Sequence, residues 1–215
     1  MDFPTRLAQI EERIANACRM VGRQRESVQL IAVSKNVEIE RIRAAYDAGL
    51  RHFGESRLQE ALPKIEALPG DAIWHFIGPL QSNKAKRTAE RFDVIHSLEN
   101  ERQLAEISKS SRPVNGLIEL NIAEESQKSG VFPSNLARMW KTVLQCPQVR
   151  FRGLMAIGPA LDDPEAMRPY FRELRRLGET VGAEWLSMGM SGDFEVGIQE
   201  GATHIRVGSA IFGER

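Results

Sequence analysis

Residues 30–36 read LIAVSKN. Leu30, Ile31, Ala32 and Val33 are apolar without alternation, as expected of a strand covered on both faces, the situation in a parallel sheet flanked by helices. Ser34 and Lys35 follow, just before a helix-like segment, so an amine stands at the carboxyl end of a buried strand.

Outward from this strand the same unit recurs. Strand candidates are VQLIAVS (28–34), HFGES (52–56), IWHFIG (73–78), VIHSL (94–98), GLIELNI (116–122), FRGLMAIG (151–158), EWLSMGM (184–190) and HIRVGSAIF (204–212). Between them, EIERIRAAYDAGL (38–50), RLQEALPKIEAL (57–68), KAKRTAERF (84–92) and PSNLARMWKTVLQC (133–146) carry Leu, Ile and Ala at helical spacing. Ahead of the series, Leu7, Ile10, Ile14, Ala17, Cys18 and Val21 mark an opening amphipathic helix that Gly22 can end. No linker or charge block divides the chain.

Eight such units in 215 residues predict an α/β fold, a single (β/α)8 TIM-type barrel domain over 1–215 with an additional N-terminal helix. That helix would cover the closing seam, since the eighth strand leaves no room for an outer helix of its own. An open doubly wound sheet is the alternative.

Lys plus Arg and Asp plus Glu balance at 29 each, which removes the global field that would gather nucleic acid or an anionic membrane. No run approaches the ~20 apolar residues needed to cross a bilayer. The N-terminus has no signal-peptide pattern, and Cys18 and Cys146 form no CxxC pair. These features predict a soluble, cytoplasmic chain, expected to be a monomer, with both cysteines in the core.

In a parallel barrel, functional groups collect where strands end. Lys35 is at such a tip, as are Glu55 and Ser56 after the second strand. Across the mouth, SMGMSGD (187–193) and RVGSAIFG (206–213) form Gly/Ser turns after the last two strands. Ser191 can cap a helix beginning near Gly192, which would aim free amides at the mouth. Gly208 and Ser209 open a segment long enough for one helical turn, and Arg206 alternates onto the face of Gly208. This is where barrels commonly bind phosphate.

A phosphate anchor facing a lysine points to a ligand with an aldehyde, because a neutral amine condenses with a carbonyl. Pyridoxal 5′-phosphate carries both groups. An unperturbed lysine at neutral pH pays about 4 kcal/mol for its neutral form; desolvation and a nearby cation such as Arg206 are expected to lower that cost.

LIAVSKN, RHFGES, WHFIGPLQSNK, ELNIAEESQKSG, RGLMAIG, LSMGMSGDFE and HIRVGSAIFGER together resemble the pyridoxal-phosphate homeostasis protein family of alanine-racemase-like barrels. The resemblance spans nearly the whole chain. It implies a cofactor held as an aldimine on Lys35, with Ser191, Gly192, Gly208 and Ser209 around the phosphate and Arg206 at either the phosphate or the ring. Lys128 of QKSG matches a lysine near the family's barrel mouth, with no role assigned. Asn36 stands where the family usually has threonine, and GESR (54–57) where GENY is common, so Ser56 and Arg57 are departures.

Two functions follow as alternatives. The first is a non-catalytic protein that buffers or delivers pyridoxal phosphate, with apo-enzymes as recipients. The second is a minimal racemase-like enzyme, which needs a second acid/base group; Tyr46 and Tyr170 both fall in outer helices. His52, His75, His96 and His204 lack metal-ligand spacing and read as core or barrel lining, while Trp74, Trp140 and Trp185 read as packing between helix and wall.

Overall fold

The computed structural model describes residues 2–213. Among them, eight parallel strands close into a barrel in chain order: β1 (Gln29–Val33), β2 (His52–Glu55), β3 (Ile73–Phe76), β4 (Val94–Leu98), β5 (Val114–Leu120), β6 (Val149–Ala156), β7 (Trp185–Met190) and β8 (His204–Val207). The ring shuts where β8 pairs with β1, Gln29 opposite His204 and Ile31 opposite Arg206. The doubly wound alternative is thereby excluded.

Seven helices alternate with the strands: α2 (Ile39–Asp47), α3 (Leu58–Ala67), α4 (Ser82–Arg91), α5 (Glu101–Ile107), α6 (Leu136–Leu144), α7 (Arg168–Thr180) and α8 (Phe194–Gln199). The helical turn α9 (Ser209–Phe212) follows β8, so the strand candidate HIRVGSAIF is strand only as far as Val207. Gly208 is where the two conformations meet.

α1 (Phe3–Met20) starts where the Asp2 carboxylate accepts from Thr5 N at 3.0 Å, with Pro4 in its first turn, where no intrahelical N–H partner is needed. It lies over the β8/β1 seam as expected, packing on α8 and α9. Phe3 and Phe212 stack at 6.1 Å, and Arg6 Nε donates to Ile211 O at 2.8 Å.

The main core is the shell between sheet and helices. Leu30 and Ala32 of β1 belong to it, so by alternation Ile31, Val33 and then Lys35 face the barrel axis. In β8, Ile205 and Val207 face the shell and His204 and Arg206 face inward. Cys18 and Cys146 are buried free thiols. Trp74 packs on Phe53 in the shell. Trp185 departs from the expected helix packing: it joins the separate apolar cluster of Val94, Leu117 and Met155. No described helix is long and apolar enough to cross a membrane.

Candidate functional site

Lys35 is carried into the barrel mouth by a tight turn. Val37 N donates to Ser34 O at 3.0 Å, and Asn36 takes a left-handed φ of 57°. Asparagine tolerates that conformation better than a β-branched residue does, which gives Asn36 a local reason for its place.

The turn is braced from below. Lys64 Nζ, reaching in from α3, donates to Ser34 O at 2.7 Å and to Glu55 Oε1 at 2.8 Å, while Ser34 Oγ donates to the same carboxylate oxygen at 2.6 Å. Glu55 is fully buried, and its Oε2 has no hydrogen-bond partner. Glu55 therefore supports the Lys35 turn and does not line the mouth. The Lys35 side chain itself is exposed, so the protein wall does not supply the desolvation expected for its amine.

Opposite Lys35, the turns after β7 and β8 are joined by one hydroxyl. Ser191 Oγ accepts from Gly208 N at 3.4 Å and lies 3.5 Å from Ser209 Oγ. Ser191 is not a helix cap. Asp193 holds the capping position of α8, its carboxylate accepting from Met190 N at 2.6 Å, and the helix starts only at Phe194. Gly189 allows this close passage: its φ is +91°, and a Cβ there would lie 2.9 Å from Phe194 Cα. The backbone at Gly192 faces open space.

Arg206 lies beneath these turns, only 4% exposed. Its Nη1 donates to Ser187 O at 2.8 Å and Ser187 Oγ at 2.6 Å, and its Nη2 to Ala156 O at 3.0 Å. The guanidinium is thus a floor pinned to β6 and β7. Burial lowers its pKa to about 10, opposed by the charges of Glu119 and Asp193, so it stays cationic at neutral pH.

All six residues expected at the site, Lys35, Ser191, Gly192, Arg206, Gly208 and Ser209, line one cavity of about 590 Å³ at the carboxyl end of the barrel. Val33, Ile77, Ile157 and Met190 give it an apolar side that no sequence motif announced. Ser56 lines it too, whereas the exposed Arg57 turns away to pair with Glu60 at 2.7 Å. Lys128 does not line it: its amine pairs with Glu125 at 2.6 Å and donates to Gly158 O at 3.2 Å, tying the 121–130 loop to the end of β6. Glu119, at the end of β5, was missed by the sequence reading. Burial, then the charge of Glu99, raises its pKa to about 7, partly offset by the Ser129 hydroxyl donating to it at 3.1 Å.

Residues 5–215 match the family described as alanine racemase, N-terminal domain. Over its full length the chain is 45% identical to the pyridoxal phosphate homeostasis protein of Aquifex aeolicus, covering 99% of that protein. It belongs to the pyridoxal phosphate homeostasis protein family. The Escherichia coli family member is 38% identical over the whole of this chain and 97% of its own length. Among solved structures, PipY of Synechococcus elongatus with PLP bound superposes with a TM-score of 0.80 at 38% identity, covering 95% of this chain and all of PipY. Alanine racemase of Bacillus anthracis shares only the fold, with a TM-score of 0.70 at 17% identity and 56% of its length covered.

Proposed function

We propose that the chain binds pyridoxal 5′-phosphate in the mouth cavity and serves to buffer or deliver it without turning over a substrate. One observation carries the reading: a primary amine at the tip of β1 and a Gly/Ser cradle at the ends of β7 and β8 line the same cavity. The residues present fit the cofactor. Ser191 and Ser209 bring hydroxyls, Gly192 brings backbone facing open space, Gly208 brings an amide that meets Ser191 Oγ, and Arg206 adds a fixed positive charge below them. The apolar side formed by Val33, Ile77 and Ile157 suits a ring.

When bound, the cofactor supplies an aldehyde that links reversibly to a primary amine, and Lys35 is the amine this cavity offers. The guanidinium of Arg206 is pinned to Ser187 and Ala156, so it would serve the cofactor as a fixed charge at the floor of the cavity. The name of the family and the PLP-bound PipY relative support the assignment.

The lining also argues for holding over turnover. Among the described residues it includes no carboxylate, tyrosine or histidine that could serve as a second acid/base group. Tyr46 and Tyr170 sit on α2 and α7, outside the barrel. Apo-enzymes are the expected recipients, and the barrel is expected to act as a monomer in the cytoplasm. Borohydride reduction of the loaded protein followed by peptide mapping tests the site: the label is expected on Lys35, and a label on Lys64 or Lys128 would refute it. Incubation with either enantiomer of alanine in deuterated water tests the absence of turnover, since α-proton exchange at enzymatic rates would favour the racemase-like alternative.

A further inference from the structure

The barrel interior holds a column of imidazoles where barrels ordinarily place branched aliphatic side chains. His52 Nδ1 lies 2.9 Å from His75 Nε2, His75 Nδ1 lies 2.9 Å from His96 Nε2, and His96 Nδ1 lies 2.9 Å from Ser187 Oγ. Arg206 meets the upper end by donating to Ser187 Oγ at 2.6 Å.

That last contact favours one direction for the column. Arginine can only donate, so Ser187 Oγ accepts from it; among the described residues His96 Nδ1 is the hydroxyl's other side-chain partner, and we assign the hydroxyl hydrogen to it. His96 then carries its proton on Nε2 and donates to His75 Nδ1, and His75 repeats the step toward His52 Nδ1. His52 is left with Nε2–H as its outward group. Burial keeps the column neutral: it lowers the pKa of His52 to about 4 and holds His75 and His96 well below the usual value. We assign His204 the same tautomer on a separate contact. Thr203 Oγ1 is 2.9 Å from its Nδ1, nearer than the hydroxyl's other acceptor, Leu186 O, at 3.4 Å.

His52 and His204 both line a second cavity, of about 650 Å³, to which the strand starts of β2, β3, β7 and β8 contribute, at the barrel end away from Lys35. Trp185 forms a wall there, its ring 4.6 Å from that of His204. Other polar side chains in the lining are engaged: Asp93 with Arg112 at 2.9 Å, Glu184 with Arg152 at 2.7 Å, and Asn115 with Arg152 at 3.2 Å. No lysine or arginine is among the lining residues, and Glu26 adds a negative charge, which disfavours an anion.

We propose that this basal cavity is a second small-molecule site, taking a neutral planar heterocycle whose carbonyl or ring nitrogen accepts from His52 and His204 while its edge packs beside Trp185, whose ring already meets Arg152 at 5.1 Å and the His204 ring at 4.6 Å. The imidazole column links the site to Arg206 at the floor of the mouth cavity. The proposal concerns a separate cavity and stands whether or not the mouth binds pyridoxal phosphate.

Long-range proton–nitrogen NMR correlations of the full chain, labelled at its four histidines and its tryptophans, test it with nicotinamide as the probe. All four imidazoles are expected to show the Nε2–H pattern. Nicotinamide is expected to shift His52, His204 and Trp185 saturably while sparing Trp74 and Trp140. Ser187→Ala, which removes the hydroxyl that fixes the column, should weaken nicotinamide about tenfold, the loss of roughly one good hydrogen bond. An Nδ1–H pattern at His52, or a probe that leaves His52 and Trp185 unmoved, would overturn the site. Unchanged nicotinamide affinity in Ser187→Ala would overturn the link to Arg206.

Discussion

Lys64 Nζ lies 2.7 Å from the carbonyl oxygen of Ser34, the residue immediately before Lys35, and 2.8 Å from Glu55 Oε1. A lysine from α3 and a glutamate from β2 thus meet under the turn that presents the site amine. Removing one partner of a buried ion pair leaves the other charged and uncompensated, at a cost of about 3–5 kcal/mol. Lys64→Met is expected to lose stability on that scale in urea titrations. Glu55→Gln combined with Lys64→Met should be less destabilised than the sum of the two single variants, and additive losses would contradict the bracing role.

Lys35 itself contributes reach, with little packing. Its side chain is exposed, so Lys35→Ala should change apo-protein stability by no more than about 0.5 kcal/mol. The same variant should lose the visible absorbance of loaded protein and all borohydride-trapped label. Retained colour in a stably folded Lys35→Ala protein would remove the lysine from the proposal.

The cradle makes a prediction about charge. Ser209 is exposed in the mouth lining, beside Ser191 and Gly208. Ser209→Asp would set a carboxylate against an incoming phosphate and should weaken pyridoxal phosphate more than about tenfold, or 1.4 kcal/mol. Pyridoxal, which lacks the phosphate, should bind both proteins alike in equilibrium dialysis. Equal losses for the two ligands would place the phosphate elsewhere.

Residues whose placement follows from local rules are legible in the sequence, and those placed by contacts between distant strands are not. Lys35, Gly208 and Ser209 are strand-end positions, and the recurring strand and helix pattern located every strand end but that of β8 to within two residues. Lys64 shares the buried face of α3 with Leu58 and Ala61, but a lysine there reads as a surface residue until the assembled barrel shows Glu55 beneath it. The histidine column joins β2, β3, β4 and β7, and no spacing in the chain links His52 to Ser187. Trp185 was misread because the first residue of a strand can face shell or axis, and only register decides. The expected cap at Ser191 failed by two residues: Asp193 has its own carboxylate to turn back on Met190 N, and that leaves the serine hydroxyl for Gly208.

Glu119 gives the barrel a pH dependence with a definite sign. Burial and the neighbouring Glu99 raise its pKa from the ordinary 4.5 to about 7 in the folded chain. Between those values the folded protein holds a proton that the unfolded chain has released, so this group's contribution is fully present at low pH, declines as pH rises, and is lost above about 7. The difference corresponds to no more than about 3 kcal/mol. Glu119→Gln imitates the protonated acid and can still accept from the Ser129 hydroxyl. Urea titrations at about pH 5 should find the two proteins similar, whereas at about pH 8 the glutamine variant should be the more stable by on the order of 1–3 kcal/mol. A glutamine variant whose stability falls with pH as steeply as that of the parent would show that the buried carboxyl at the end of β5 is not the group responsible.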